Sequence, residues 1–485
     1  MYHFKTIARY HQDLQQGNTN CVNVVEGYLA AIDSAKNLNA FVEVFKEEAL
    51  QKAKLLDDQR KGGAALKKLH GVVIAIKDVI CYEGHKVTAA SGILENFVSQ
   101  YSASAVQLLL DEDAIIIGSC NCDEFAMGSS NENSVYGPTL NAANTAYIPG
   151  GSSGGSAVAV QANMCMLSLG TDTGGSVRQP ADFCGIIGLK PGYGTISRYG
   201  LIAYASSFDQ VGIFGKTVSD VALLLEVMSK PDELDSTMNT EAPAHAFTNY
   251  AASAKSTGYR FCYFRQMISH PSLDREIAAG IIATINALRK AGHVVEEQEF
   301  ELLDYIVPAY YVLTTAEASS NLSRYDGIRY GHRSKEAAED LTAFYKQNRS
   351  EGFGMEVKRR IMLGTFVLSA GYYDAYFNKA QQVRKMLVEK TALIFSKFDA
   401  VILPNSPTTA WKFGEKDKDP IAVYLADIFT VFANLTGLPA ISLPLFKHSN
   451  GLPFGLQVMT NKKDELTLLK ISDELMQQVK AAAKP

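Results

Sequence analysis

The chain has 485 residues, 47% of them hydrophobic and 20% charged, with a net charge of -5 and a pI near 6.0. This composition supports a large buried core without disulfides and excludes a disordered or fibrous chain. It lacks the basic excess that grips phosphodiesters, so any RNA involved is expected to be held by another chain.

In chain order, a helix is predicted after Thr19, with Val22, Val25, Leu29 and Ile32 on one stripe. A strand over Phe41 to Phe45 and a charged helix to about Asp58 follow. The β-branched run Val72 to Ile76 reads as a buried strand that ends at Lys77 and Asp78. Ser104 to Leu110 reads as helix and Ala114 to Gly118 as a second buried strand. Beyond Asn144, Gly and Ser dominate, with a helix expected over Ala157 to Ala162 and a strand over Met164 to Leu169. Strands are expected at Arg260 to Phe264, Ala400 to Leu403 and Ala440 to Leu443, between helical patterns. The longest of those patterns runs from about Leu368 to Lys397. Strands alternating with helices predict an α/β fold around a largely buried sheet. No repeat or low-complexity linker divides the chain, so residues 1–485 read as one unit. A helix-rich insertion over about 302–395 is expected to cover one side of the active site.

Seven scattered cysteines in mostly apolar surroundings read as reduced, packed thiols. Cys120 and Cys122 have no partner His or Cys pair, and no metal site is expected. The first residues are polar, without the apolar run of a secretion signal. No stretch approaches the roughly 18 apolar residues of a membrane span. The expected location is the cytoplasm.

Three segments carry chemistry: Gly71-Val-Val-Ile-Ala-Ile-Lys-Asp78, Pro149-Gly-Gly-Ser-Ser-Gly-Gly-Ser156 and Gly170-Thr-Asp-Thr-Gly-Gly-Ser-Val-Arg-Gln-Pro180. In the third, two glycines precede Ser176. Glycine permits positive φ and close approach to a ligand, so successive N–H groups can converge on one oxygen while the serine meets the carbon beside it. A plain Gly-rich turn is the bland reading. The second segment has no Gly-Lys-Ser/Thr and fits neither a Walker loop nor a dinucleotide fingerprint. Ser152 there can instead hydrogen-bond another catalytic group. Lys77 is either a strand-end charge reaching solvent or, if buried, a base whose pKa must fall by roughly 3 units to be neutral near pH 7. No histidine lies between His85 and His245, so a serine nucleophile in this region points to a lysine base.

Together these segments resemble the amidase signature family, whose triad is Ser-cisSer-Lys. The resemblance implies that family's mixed sheet with helices on both faces. It assigns Lys77 as base, Ser152 as relay serine in a cis peptide and Ser176 as the acyl-forming nucleophile, with Thr173, Gly174 and Gly175 as oxyanion donors. Met127-Gly-Ser-Ser-Asn-Glu-Asn-Ser134, Gly188-Leu-Lys-Pro-Gly-Tyr193, Ser207-Phe-Asp-Gln-Val-Gly212 and Glu356-Val-Lys-Arg-Arg-Ile-Met-Leu-Gly364 narrow it to the glutaminase subunits of glutamyl-tRNA(Gln)/aspartyl-tRNA(Asn) amidotransferases. Val73 and Val79 depart from the residues frequent there, Pro and Asn. The resemblance then implies a glutaminase within a heterotrimer, which forms a glutamyl ester on Ser176 and releases ammonia. Arg360, or its neighbour Arg359, would hold the glutamine carboxylate, and Asp427 the ammonium, with Tyr311 nearby. The B subunit of such an enzyme would bind the misacylated tRNA and use ATP and Mg²⁺. The small C subunit would join the other two, and this chain would need no cofactor. Two other readings stay open: a standalone amidase acting on small amides, and a non-catalytic nucleotide-binding or scaffold protein.

Overall fold

The computed structural model describes residues 2–238, 246–251, 258–415 and 426–482. The N-terminal part holds α1 (Ile7–Gln15), α2 (Cys21–Ser34), β1 (Phe41–Val44), α3 (Lys46–Lys61), β2 (Val73–Lys77), α4 (Ser104–Asp111) and β3 (Ile115–Cys120). Next come α5 (Gly154–Gln161), β4 (Leu167–Thr171), α6 (Arg178–Cys184), β5 (Ile187–Lys190), β6 (Val211–Gly215) and α7 (Val218–Met228). Then follow β7 (Arg260–Phe264), α8 (Arg265–Ile268), α9 (Arg275–Lys290) and β8 (Val294–Gln298). Four helices come next: α10 (Leu303–Asn321), α11 (Leu341–Gly352), α12 (Met355–Leu368) and α13 (Lys379–Phe395). The chain closes with β9 (Ala400–Pro404), α14 (Val431–Thr436), β10 (Ala440–Lys447), β11 (Pro453–Thr460) and α15 (Glu465–Ala482).

Among the described residues, eleven strands form one mixed sheet in the order β1-β3-β2-β4-β6-β5-β10-β11-β9-β7-β8. β2 runs parallel to both β3 and β4, and β7 parallel to both β8 and β9, while the other pairs are antiparallel. Successive strand side chains point to opposite faces. Because every residue of β2, β3, β4, β6 and β9 is buried, both faces of the sheet are covered there. This is the α/β class expected from the alternation of strands and helices.

Three local expectations need correction. The predicted strand from Met164 starts at Leu167, because the Met164 N–H still bonds Ala159 O in the turn that closes α5. The helix predicted from Ala157 begins within the glycines, at Gly154. A Cβ on Gly155 would lie 2.4 Å from Asn121 O, and one on Gly154 2.6 Å from Asn131 Oδ1, so these glycines let α5 sit against its neighbours. The pattern from Leu368 to Lys397 is not one helix. α12 stops at Leu368, Gly371 takes φ +90°, and helical structure resumes as a π-turn over Asp374–Asn378 that leads into α13. Phe366 and Tyr372 keep the apolar pattern going across that break, which hides it. Among the described residues the longest helix is α10, with 19 residues.

Candidate active site

The site is built on the carboxyl ends of the parallel strands β2 and β4, a common place for ligand-handling loops in open α/β sheets. β2 ends in Lys77 and β4 in Thr171, so the two side chains emerge at the same edge. Lys77 is fully buried. Its Nζ donates to Ser152 Oγ at 2.7 Å, to Ser153 Oγ at 2.9 Å and to Thr171 Oγ1 at 3.0 Å. Burial lowers its pKa from 10.5 to about 8, opposed by Cys122, Asp123, Asp209 and Asp172 nearby. The strand-end-charge reading of Lys77 is thus excluded by position, although its pKa falls less than the roughly 3 units expected from the sequence.

The Gly151–Ser152 peptide is cis. Around it the backbone is tied at many points. The Asp123 N–H donates to Ser152 O at 3.1 Å, the Gly151 N–H to Gln179 Oε1 at 3.0 Å, and the Ser153 N–H to Ser176 O at 3.2 Å. The last bond joins the two serine-bearing segments. Ser152 is completely buried, whereas Ser176 is 8% exposed and is the one of the three that faces outward access.

Asp172 organises the Thr173–Ser176 turn. Its carboxylate accepts the N–H groups of Gly175 at 3.0 Å, Val177 at 3.2 Å and Arg178 at 3.4 Å. It also receives Arg178 as a fork, Nε at 3.1 Å and Nη2 at 2.9 Å, and Asn434 Nδ2 at 2.9 Å. Burial would raise the Asp172 pKa, but the Arg178 charge and these bonds hold it well below the usual carboxylate range. Thr173 Oγ1 is anchored on Asp209 Oδ1 at 2.6 Å. The expectation for Gly175 changes here, because its N–H is committed to Asp172. Among the described residues no chain atom accepts the N–H groups of Thr173, Gly174 or Ser176. Gly175 takes φ +126°, and a Cβ on Gly174 would meet Tyr310 Oη at 2.2 Å, so neither position tolerates a side chain.

Tyr311, Arg360 and Asp427 also meet. Tyr311 Oη donates to Asp427 Oδ2 at 3.0 Å, and Ser129 Oγ to Oδ1 of the same carboxylate at 3.0 Å. The Arg360 guanidinium lies over the Tyr204 and Tyr311 rings, 5.5 and 5.7 Å from their centroids. It donates to Glu356 Oε1 at 2.9 Å and to Tyr204 Oη at 2.8 Å. Arg360 is 6% exposed, whereas the side chain of Arg359 is 57% exposed and reaches Glu356. Geometry therefore selects Arg360 over its neighbour as the inward cation. Burial pushes the Asp427 pKa up to about 6, with Tyr311, Ser129 and Arg360 working against the rise.

Sequence reasoning gave no role to Asp172, Arg178, Ser129, Ser153, Thr171, Thr430 or Asn434. The Asp-Thr-Gly-Gly-Ser-Val-Arg spacing was a usable signal for the first two, since an acid six residues before an arginine flanks the turn. A second buried lysine, Lys190, donates to the Pro191 and Leu438 carbonyls, not to a serine of the site. The seven cysteines are free and buried. Among the described residues, no group of three or more His, Cys, Asp or Glu is arranged to hold a metal ion, and no helix is long and apolar enough to cross a membrane.

The family model described as Amidase matches residues 23–469. The chain is 47% identical over 473 residues to the A subunit of the glutamyl-tRNA(Gln) amidotransferase of Chlorobium phaeobacteroides (strain DSM 266), covering 97% of this chain and 98% of that protein. The crystal structure of the corresponding A subunit of the glutamyl-tRNA(Gln) amidotransferase from Thermotoga maritima superposes with a TM-score of 0.76 at 38% identity, over 93% of this chain and 90% of that one. A peptide amidase from Stenotrophomonas maltophilia, 25% identical, superposes with a TM-score of 0.81 over 99% of this chain and 98% of its own. The chain belongs to the amidase family.

Proposed function

We propose that the chain is the glutaminase subunit of a tRNA-dependent amidotransferase, hydrolysing glutamine through a seryl ester and supplying ammonia for amidation of Glu-tRNA(Gln), Asp-tRNA(Asn) or both. The observation that carries the proposal is the buried Lys77 Nζ, held 2.7 Å from Ser152 Oγ, with the Ser152 segment bonded to that of Ser176. A neutral Lys77 accepts a proton through the Ser152 hydroxyl as Ser176 Oγ adds to the γ-carboxamide carbon. The carbonyl oxygen becomes an oxyanion that the N–H groups of Thr173, Gly174 and Ser176 stabilise. The proton returns through Ser152 to the leaving nitrogen, the C–N bond breaks and ammonia departs. Water, deprotonated by the same relay, then adds to the glutamyl ester and releases glutamate and the Ser176 hydroxyl.

The Arg360 guanidinium supplies the cation for the glutamine carboxylate, and Asp427, oriented by Tyr311 and Ser129, the anion for its ammonium. The near full-length match to proteins named as the A subunit supports the partner assignment: the B and C subunits of the complex, with the misacylated tRNA, ATP and Mg²⁺ handled by the former. The chain acts in the cytoplasm as one amidase unit, and its helices over 302–395 cover the site from one side.

The test is ammonia release from glutamine and asparagine by wild type and Ser176→Ala, with and without the partner subunits. Activity that prefers glutamine, rises with partners and disappears in the variant supports the proposal. Unchanged release by Ser176→Ala refutes it, and partner-independent hydrolysis of simple amides favours a standalone amidase.

A further inference from the structure

The peptide unit between Gly174 and Gly175 is held at both ends. Its N–H donates to Asp172 Oδ1 at 3.0 Å, and its carbonyl oxygen accepts Thr430 Oγ1 at 2.6 Å. Thr430 is fully buried. Its own backbone is fixed in turn, since its N–H donates to Asp427 O at 3.0 Å and its carbonyl accepts Arg178 Nη1 at 2.8 Å. A Cβ on Gly175 would meet Thr430 Oγ1 at 2.3 Å, so the threonine side chain lies directly against the turn. Thr430 also belongs to the turn that bears Asp427.

A peptide plane between two glycines is free to rotate unless something holds it, because no Cβ restricts its φ and ψ. Rotation would carry the carbonyl dipole toward the oxygen that gains negative charge and displace the neighbouring N–H groups. Either change weakens stabilisation of the oxyanion without altering the pocket for the ends of the substrate.

We propose that Thr430 is a positioning residue for acyl transfer, its hydroxyl locking the Gly174–Gly175 peptide so that the flanking N–H groups remain aimed at the oxyanion. The inference rests on the proposed seryl-ester mechanism. Thr430→Val keeps the shape and removes the hydroxyl, which also lies 3.1 Å from Asp427 O; Thr430→Ser keeps the donor. For glutamine hydrolysis by the assembled complex, Thr430→Val lowers kcat about 10- to 100-fold, below the full loss of an oxyanion donor. KM stays within about 3-fold of wild type. Thr430→Ser recovers kcat to within about 3-fold of wild type.

A merely structural role would shift KM as well, because Asp427 sits on the same turn. A Thr430→Val kcat within about 3-fold of wild type overturns the inference, as does a KM rise that accounts for the whole loss or a serine variant as slow as the valine one. If wild type hydrolyses propionamide and not glutamine, the functional proposal falls. The same kcat comparison on propionamide then still decides the role of Thr430.

Discussion

The pH dependence of glutamine hydrolysis follows from two buried groups. Lys77 must be neutral to act as base, and its pKa lies at about 8. Asp427 must be ionised to hold an ammonium, and its pKa lies at about 6. In the profile of kcat/KM, which reports the free enzyme, activity rises with pH because both groups must lose a proton. Log(kcat/KM) has a slope of about +1 between pH 6 and 8 and steepens to about +2 below pH 6. At pH 7 about a tenth of Lys77 is neutral, and at pH 9 about nine tenths, so the rise across that interval is roughly tenfold before the substrate ammonium titrates. A shift from 10.5 to about 8 represents on the order of 3 kcal/mol of disfavour for the charged form, which desolvation supplies. The assay is continuous ammonia release from pH 5 to 9 (roughly the span over which both groups titrate) for wild type, Lys77→Arg and Asp427→Asn. Lys77→Arg, a fixed cation, is inactive throughout, and Asp427→Asn loses the steepening below pH 6 at a raised KM. A wild-type profile flat between about pH 6 and 8, or a Lys77→Arg enzyme with substantial turnover, refutes the reasoning.

Arg360→Ala raises the glutamine KM by about 10- to 100-fold through loss of a charged hydrogen-bonding partner, while Arg359→Ala leaves it unchanged, as steady-state kinetics will read. Arg178→Met leaves the Asp172 carboxylate buried without its counter-charge and costs about 3–5 kcal/mol in urea unfolding; a loss under about 1 kcal/mol contradicts the anchoring role. A thiol reagent labels almost no cysteine in the native chain and all seven after denaturation, since every one is buried and free. Rapid labelling of the native protein would contradict the packing described here.

The sequence made some of this legible and concealed the rest for physical reasons. Lys77 stood out because five apolar residues precede it and no histidine serves the serine-rich region, and both signals are local. The strands β2, β3 and β9 were legible because short β-branched runs have few other uses, and β7 because its run is rich in aromatic residues. The meeting of Tyr311 with Asp427 spans 116 positions, and composition gives no hint of it; only resemblance brought those residues forward. The commitment of the Gly175 N–H to Asp172 was hidden for a related reason. That carboxylate is fixed by Arg178 six residues on and by Asn434 more than 250 residues away. The break after α12 shows a third limit, since Ser369 turns extended and Gly371 takes positive φ while the apolar pattern continues around them.

The central claim is that Ser176 carries the acyl group. The direct measurement is acid quench of the complex during glutamine turnover, followed by peptide mass spectrometry of the segment around Ser176. The account predicts a γ-glutamyl ester on Ser176 that accumulates under turnover and is absent from Ser176→Ala. Turnover with an unmodified Ser176, or with the glutamyl group on another side chain, would contradict it.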